Sequence, residues 1–317
     1  MRNTAFKLSA VMILFLIFAL SIYAQEKVSK TFPAKKLVEL STTSGDCIIQ
    51  KGPADKITVV VEYTVRPADA FTPEMEERSD RIKLSEDWSG SSSGKVLWTV
   101  TVPPEAEIDV ESASGDISVS GLSSDIEVST ASGDVTLKMC KGDIEASTAS
   151  GDIDLENVEG DLEISVASGD IKATDLKGSF EFNTASGDME VKNAKGEFDL
   201  NCASGDIEVE KVELDAESEF SAASGDISVS LARSAEYDLE LSAASGDVTL
   251  EYSGNSLKGR FEMIARHNGS RISAPVAFDS EETFERHGRE YDKKIITRSG
   301  NKPLISLESA SGKVTLK

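Results

Sequence analysis

Only two histidines occur in this 317-residue chain, His267 and His287, each following an arginine, Arg266 and Arg286. So small a supply leaves no base to recur with the many serines, and no His-Glu-x-x-His metal motif is present. Gly-Lys-Ser/Thr and Cys-x-x-Cys are also missing, which removes the phosphate-binding loop and the dithiol redox motif. Past residue 24 no apolar run approaches the roughly 20 residues that a helical membrane span needs. Positive charge is scarce: 33 Lys and Arg face 56 Asp and Glu, a formal net charge of −23, or −25 without Arg2 and Lys7. Such a chain repels nucleic acid and anionic lipid.

Cysteine is scarce too, with Cys47, Cys140 and Cys202. An odd count in an exported protein invites a disulfide reading. The positions of Cys140 and Cys202 in the pattern below point instead to small core residues.

What the chain has is a repeat. Ala-Ser-Gly-Asp occurs at 113–116, 131–134, 149–152, 167–170, 185–188 and 203–206, a spacing of 18, and returns at 223–226 and 244–247. A period this short means that each repeat is one supersecondary unit, which buries its apolar face only by stacking on its neighbours. Aligned repeats show apolar columns two apart: Ile117, Val135, Ile153, Ile171, Met189 and Ile207, then Val119, Leu137, Leu155, Ala173, Val191 and Val209. A second pair runs through Ile126, Ile144, Leu162, Phe180 and Phe198, and through Val128, Ala146, Ile164, Phe182 and Leu200. That is the period of half-buried strands, two per repeat. Turns at Gly142-Asp143, Gly160-Asp161, Gly178-Ser179 and Gly196-Glu197 open the second strand.

A parallel β-solenoid with one repeat per turn and an antiparallel meander both satisfy the pattern. The solenoid is favoured, because an indel inside a turn would break every stacked ladder and five successive spacings carry none. Phe180, Phe182, Phe198 and Phe220 would fill the wider part of its slab. The expected fold is all-β, a single-domain parallel β-solenoid with irregular caps. Its divisions are a signal peptide at 1–24, an N-terminal cap region at 25–110, tandem repeats at 111–250 and a C-terminal irregular region with a closing strand at 251–317.

Residues 1–24 carry Arg2 and Lys7, an apolar run from Leu8 to Ile22, and Tyr23-Ala24 before Gln25. That is the build of a secretory leader, with an uncleaved anchor as the alternative. It places the protein in the periplasm, on the outer surface or outside the cell. The stretch 66–95 reads as a long exposed loop or hairpin, and Asp279 to Lys293 as a short helix capped by Asp279 and Glu282.

Two acidic columns stand out. Glu127, Glu145, Glu163, Glu181 and Asp199 face outward and read as a solvated surface, with a cation or a basic partner as the sharper alternative. Asp116, Asp134, Asp152, Asp170, Asp188 and Asp206 stack about 5 Å apart, where like charges cost about 1 kcal/mol per pair even in water. Turn hydrogen bonds are the economical compensation. Calcium (Ca2+) is the other, although the Gly-Gly-x-Gly-x-Asp pattern of calcium-binding β-rolls is missing. These aspartates are the weak metal candidates; no catalytic or cofactor-binding residue emerges, and no cofactor is required. The two Arg-His neighbours could bind phosphate or carboxylate, but read as ordinary surface residues.

An opening strand with Ser44-Gly45-Asp46, the strand Trp98-Thr-Val-Thr-Val-Pro-Pro104, the tandem Ser-Gly-Asp-Ile strands and a closing Ser311-Gly312-Lys313-Val314 resemble the putative adhesin family, domain of unknown function 4097. The resemblance implies a β-solenoid of the bacterial envelope and supplies no catalytic residues. The expected function is a non-enzymatic interaction or structural module, adhesive in character, with a protein or glycan of the envelope or cell surface as ligand. Calcium-dependent surface binding is the runner-up and a polysaccharide-active β-helix enzyme the third reading.

Overall fold

The computed structural model describes residues 25–90, 92–267 and 271–317. The leader expected at 1–24 lies outside the described residues. Alternating apolar columns build two parallel sheets that face each other across a slab. Ile117–Ser120, Val135–Lys138, Ile153–Glu156 and their successors form sheet A. Ile126–Thr130, Ile144–Thr148, Glu159–Val166 and their successors form sheet B. Partners lie one repeat apart, Val135 on Ile153 and Ile144 on Leu162. Pairing between successive turns is parallel, so the fold is the β-solenoid and not the meander. The 20-residue repeat keeps the register by a local slip: Val209 pairs with Val229, but Val212 pairs with Leu231.

The slab is dry and apolar. Its columns bury Ile153, Leu155, Leu162 and Ile164 almost completely, each contributing about 1.5–3 kcal/mol. Where Phe replaces the aliphatics, Phe180, Phe198 and Phe220 stack along the axis with ring centroids 5.1 and 5.9 Å apart. Cys47, Cys140 and Cys202 are buried free thiols. Burial pushes Cys47 up to about 12 and also raises Cys140 and Cys202, which makes all three poor nucleophiles.

Two turn positions set the backbone. At Gly196 (φ 156°) a Cβ would lie 1.7 Å from the carbonyl oxygen of Gly178 one turn away, so only glycine fits. Three residues earlier in the same connection from sheet A to sheet B the chain turns through the left-handed region at Gly121, Met139, Asn157, Asp175, Asn193 and Lys211, with φ between 54° and 76°. Gly, Asn and Asp suit that conformation; Met139 and Lys211 do not.

The ends are not simple continuations. Spatially, the opening turn, with strands Leu37–Thr42 and Asp46–Lys51, lies between the first repeat and an outer layer. That layer contains Arg81–Trp88 and Ser93–Val102. The stretch expected at 66–95 as a loop or hairpin is largely a hairpin, Phe71–Glu77 against Arg81–Trp88. At the other end the closing strands Leu304–Ser309 and Val314–Leu316 return to stack on 239–251, inside Gly259–Arg266, which is followed outward by Arg289–Arg298 and Ser280–Arg286. The period vanishes over 252–303 because that segment makes an outer turn and then folds back.

The reading of Asp279 to Lys293 as a helix is corrected. Ser280–Arg286 and Arg289–Arg298 form an antiparallel hairpin. Its two-residue turn, His287-Gly288, has φ 53° and 73°, as a type I′ turn requires. Asp279 accepts the Thr297 N–H at 2.6 Å instead of capping a helix, and Glu281 pairs with Lys294 across the strands at 3.0 Å.

Parallel ladders carry backbone hydrogen bonds in both directions between turns, such as Ala131 N–H to Ser112 carbonyl and Ile117 N–H to Asp134 carbonyl, so both kinds of group need partners at either end. Beside the opening turn Glu86 accepts Thr43 N–H at 2.8 Å, Ser44 N–H at 3.4 Å, and the indole N–H groups of Trp88 and Trp98 at 2.9 and 3.0 Å. Beside the closing turn Arg271 donates to the Ser311 carbonyl, and to that of Gly312 at 3.3 Å.

Two outcomes are expected. Deleting 149–166 joins Thr148 to Ala167, restores every column and removes one interface, so calorimetry should find a cooperative, somewhat less stable protein; deleting 149–157 should abolish folding. Met139→Asn should raise stability by about 1 kcal/mol in denaturant titration, since the side chain is 61% exposed and only the backbone conformation changes hands.

Candidate functional site

The successive turns from Glu127 to Ala244 present the same ordered side chains on the outer face of sheet B. Across the strand run a carboxylate, a hydroxyl or amide, and a methyl: Glu145, Ser147, Ala149 in one turn, Glu181, Asn183, Ala185 two turns on. The parallel register aligns these into three columns along the axis.

The methyl and hydroxyl columns line a shallow groove of about 1170 Å3, running from Ser41 and Thr42 to Ser221 and Ala223. Its floor carries buried Thr130, Thr148 and Thr184, whose hydroxyls face neighbouring turns; Thr148 Oγ1 donates to the Gly133 carbonyl at 3.1 Å.

The carboxylate column is continuous. Asp109, Glu127, Glu145, Glu163, Glu181, Asp199, Glu219 and Glu240 occupy directly paired positions on successive strands. Among the described residues its members form no ion pair; next to Asp109, Glu39 binds Arg81 at 2.5 Å, and beyond Ser306 at the other end Glu262 binds Lys293 at 2.6 Å. Sheet A is different, with alternating signs such as Lys138–Glu156 at 2.8 Å. Burial, then the charges of Glu111 and Glu39, raise Asp109 above the usual carboxylate range. Asp109 in turn raises Glu127, helped by burial and Glu145, and burial with Glu219 raises Glu240.

The six candidate aspartates form another column, at the turn from sheet B to sheet A. Each carboxylate Oδ1 accepts the backbone N–H of the aspartate one turn on, at distances between 2.7 and 3.2 Å from Asp46 through Asp226 to Asp247. The ladder ends at Lys313 N–H, bonded to Asp247 at 2.8 Å. One oxygen of Asp116, Asp134, Asp152, Asp170, Asp188 and Asp206 is thus committed to the backbone, the compensation that the stacking of charges requires. Among the described residues no group of three or more His, Cys, Asp or Glu converges to hold a metal ion.

This chain, a winding of parallel strands with a repeated acidic outer surface, matches one family model over residues 12–274. The chain belongs to the Toastrack family, DUF4097. It is similar to a solved putative cell adhesion protein from Clostridium sporogenes, at 10% identity over 93% of this chain and 99% of that one, with a TM-score of 0.23. A putative adhesin from Bacteroides fragilis is 14% identical over 93% of this chain and 98% of that one, TM-score 0.36. A putative lipid binding protein from Parabacteroides distasonis is 12% identical over 92% and 96%, TM-score 0.39. Curated proteins give no match.

In this Toastrack chain the two histidines have separate surroundings. His267 Nδ1 lies 2.7 Å from Asp292 Oδ1, which also accepts the Thr283 hydroxyl at 2.8 Å, so one carboxylate links three strands. His287 sits in the hairpin turn. Sequence reading missed this hairpin, although His287-Gly288 between alternating residues is its signal; it also missed Glu86, which is distant from the turn it closes.

The raised carboxylates fix a pH response. A folded-state pKa above the unfolded value means that protonation favours the folded state, so the penalty from Asp109, Glu127 and Glu240 is relieved as pH falls toward about 4. His267, raised by its bond to Asp292, acts in the same direction, its stabilisation being lost as pH rises through its folded value. Carboxylates lowered by their partners, such as Asp279 by Thr297 N–H and Glu159 by Lys141, lose their contribution only below the ordinary range. The melting temperature should therefore rise from pH 7 to about 5 and fall below about 4. Glu127→Gln should raise stability at pH 7 by a few tenths of a kcal/mol, allowing for screening, and flatten the rise; a decrease would refute the repulsion.

Proposed function

We propose that this Toastrack protein is a non-enzymatic, exported module of the bacterial cell envelope that binds an extended protein or glycan along the outer face of sheet B, in an adhesive or structural capacity. The observation that carries this reading is the groove of about 1170 Å3 in which the successive turns from Ser129 to Ser221 each offer a hydroxyl or amide beside a methyl. A ligand with its own repeat can meet many equal subsites there, each weak, and their sum sets the affinity. A surface without a unique centre is suited to holding and poorly suited to chemistry, which needs a few groups fixed at one point. The leader at 1–24 supports export, and the unbroken carboxylate column favours ligands that carry no dense negative charge.

The test is cosedimentation of the mature chain, residues 25–317, with the envelope fraction of its source. Binding should fall several-fold on deleting 149–166 and further with Ala149→Arg and Ala185→Arg, two exposed positions of the groove. An all-or-none response to the deletion, or arginines without effect, would rule the groove out.

A further inference from the structure

The outer face of sheet B reverses its sign at the C-terminal end. Residues 111–251 hold 33 acidic and 8 basic side chains, whereas 252–317 hold 8 acidic and 12 basic. On the last three strands Arg266, Tyr291 and Phe284 stand side by side in direct register, and Arg286 is paired opposite Arg289 on the same face. The Phe284 and Tyr291 rings stack at 5.9 Å with 25° between their planes. The Arg286 guanidinium lies 5.5 and 5.6 Å from the two ring centroids and donates to Glu308 Oε1 at 2.5 Å. The fold thus brings both Arg-His neighbours of the sequence to one place. Their histidines are engaged elsewhere, in the Asp292 link and the hairpin turn, and their arginines share a surface.

Two like charges directly opposite on paired strands are destabilising, and a third arginine nearby adds to the cost. An anion between them removes it. We propose that Arg266, Arg286 and Arg289, with the Phe284–Tyr291 stack, bind an acidic sugar residue, its carboxylate on the guanidinium groups and its ring against the open side of Phe284. Glu308 is the built-in precedent: a carboxylate is already held on this face by Arg286. Phe284 is half-buried while the three arginines are exposed, so the aromatic platform is fixed and the charges are accessible. Guanidinium pairs bind carboxylates in charge-assisted hydrogen bonds, and an aromatic ring flanked by arginine suits a flat, locally charged ligand. The carboxylate column farther along the same face turns away polyanions that are charged along their whole length, such as nucleic acid or an anionic bilayer, and leaves short acidic units. This site is separate from the groove, and neither depends on the other.

Calorimetric titration of residues 25–317 with tetragalacturonate tests the proposal, with maltotetraose, inorganic phosphate and an acidic peptide as comparisons. Tetragalacturonate should bind, and more weakly as salt rises from 50 to 300 mM on the order expected for screened charges. Arg266→Ala with Arg289→Ala should weaken it about tenfold or more. Phe284→Ala should weaken it several-fold, and Glu308→Gln, which frees Arg286 from its internal partner, should strengthen it. These changes lie on the surface, and an unchanged melting temperature would confirm that they leave the fold intact. The proposal is overturned by failure of tetragalacturonate to bind, by equal binding of maltotetraose or phosphate, by tighter binding of the acidic peptide, or by variants that titrate like the parent.

Discussion

One contact governs the molecule: the approach of each turn's backbone to the turn below. At Gly187 a Cβ would sit 2.0 Å from the carbonyl oxygen of Gly169, so the turns close only because nothing projects there. That approach fixes the strand spacing, places every side chain above its own counterpart and makes the columns. The dry slab, the stacked phenylalanines and the outer columns all follow from it. A substitution in a core column costs packing in one turn, whereas one at the turn glycine would separate two turns along both sheets.

The same constraint makes charge hard to distribute. Strict stacking turns any repeated acidic residue into a line of like charges, and the protein meets this in two ways. The turn aspartates give an oxygen to the next backbone N–H and so gain a hydrogen bond for each neighbour they repel. The column from Asp109 to Glu240 is not tied to the next turn's backbone, although Asp199 accepts the Asn201 amide at 2.7 Å, and it stays at the water interface, where screening limits the cost. Keeping it acidic also discourages the sheets of separate molecules from pairing, a hazard for any protein built from strands.

The repeat made the interior legible, because each column is an independent vote on the direction of a side chain. Ile153 and Leu155 point inward, Glu145 and Glu163 outward, and Cys140 and Cys202 lie among core residues, as their columns predict. What stayed hidden is non-periodic. Nothing in Ser311-Gly312-Lys313 says that its strand returns to a place inside Gly259–Arg266, since spatial order is set by contacts between segments far apart in sequence. Asp279 and Glu282 imitate a helix cap well enough to obscure the His287-Gly288 turn. The left-handed corner was partly written in Gly121, Asn157, Asp175 and Asn193, but Met139 and Lys211 break that column. The carboxylate column was visible as a pattern, while the groove beside it needed the sheet's actual shape.

Glu86 and Arg271 differ in kind, an acceptor beside the opening turn and a donor beside the closing one. Neither can be exchanged for the other, and neither is needed between turns. The length of such a protein can therefore change by insertion or loss of whole turns in the middle while both terminating devices stay untouched. Relatives built this way would differ in reach by increments of about 4.8 Å, the separation of adjacent strands, which makes the repeat number a ruler for how far a bound partner is held from either end.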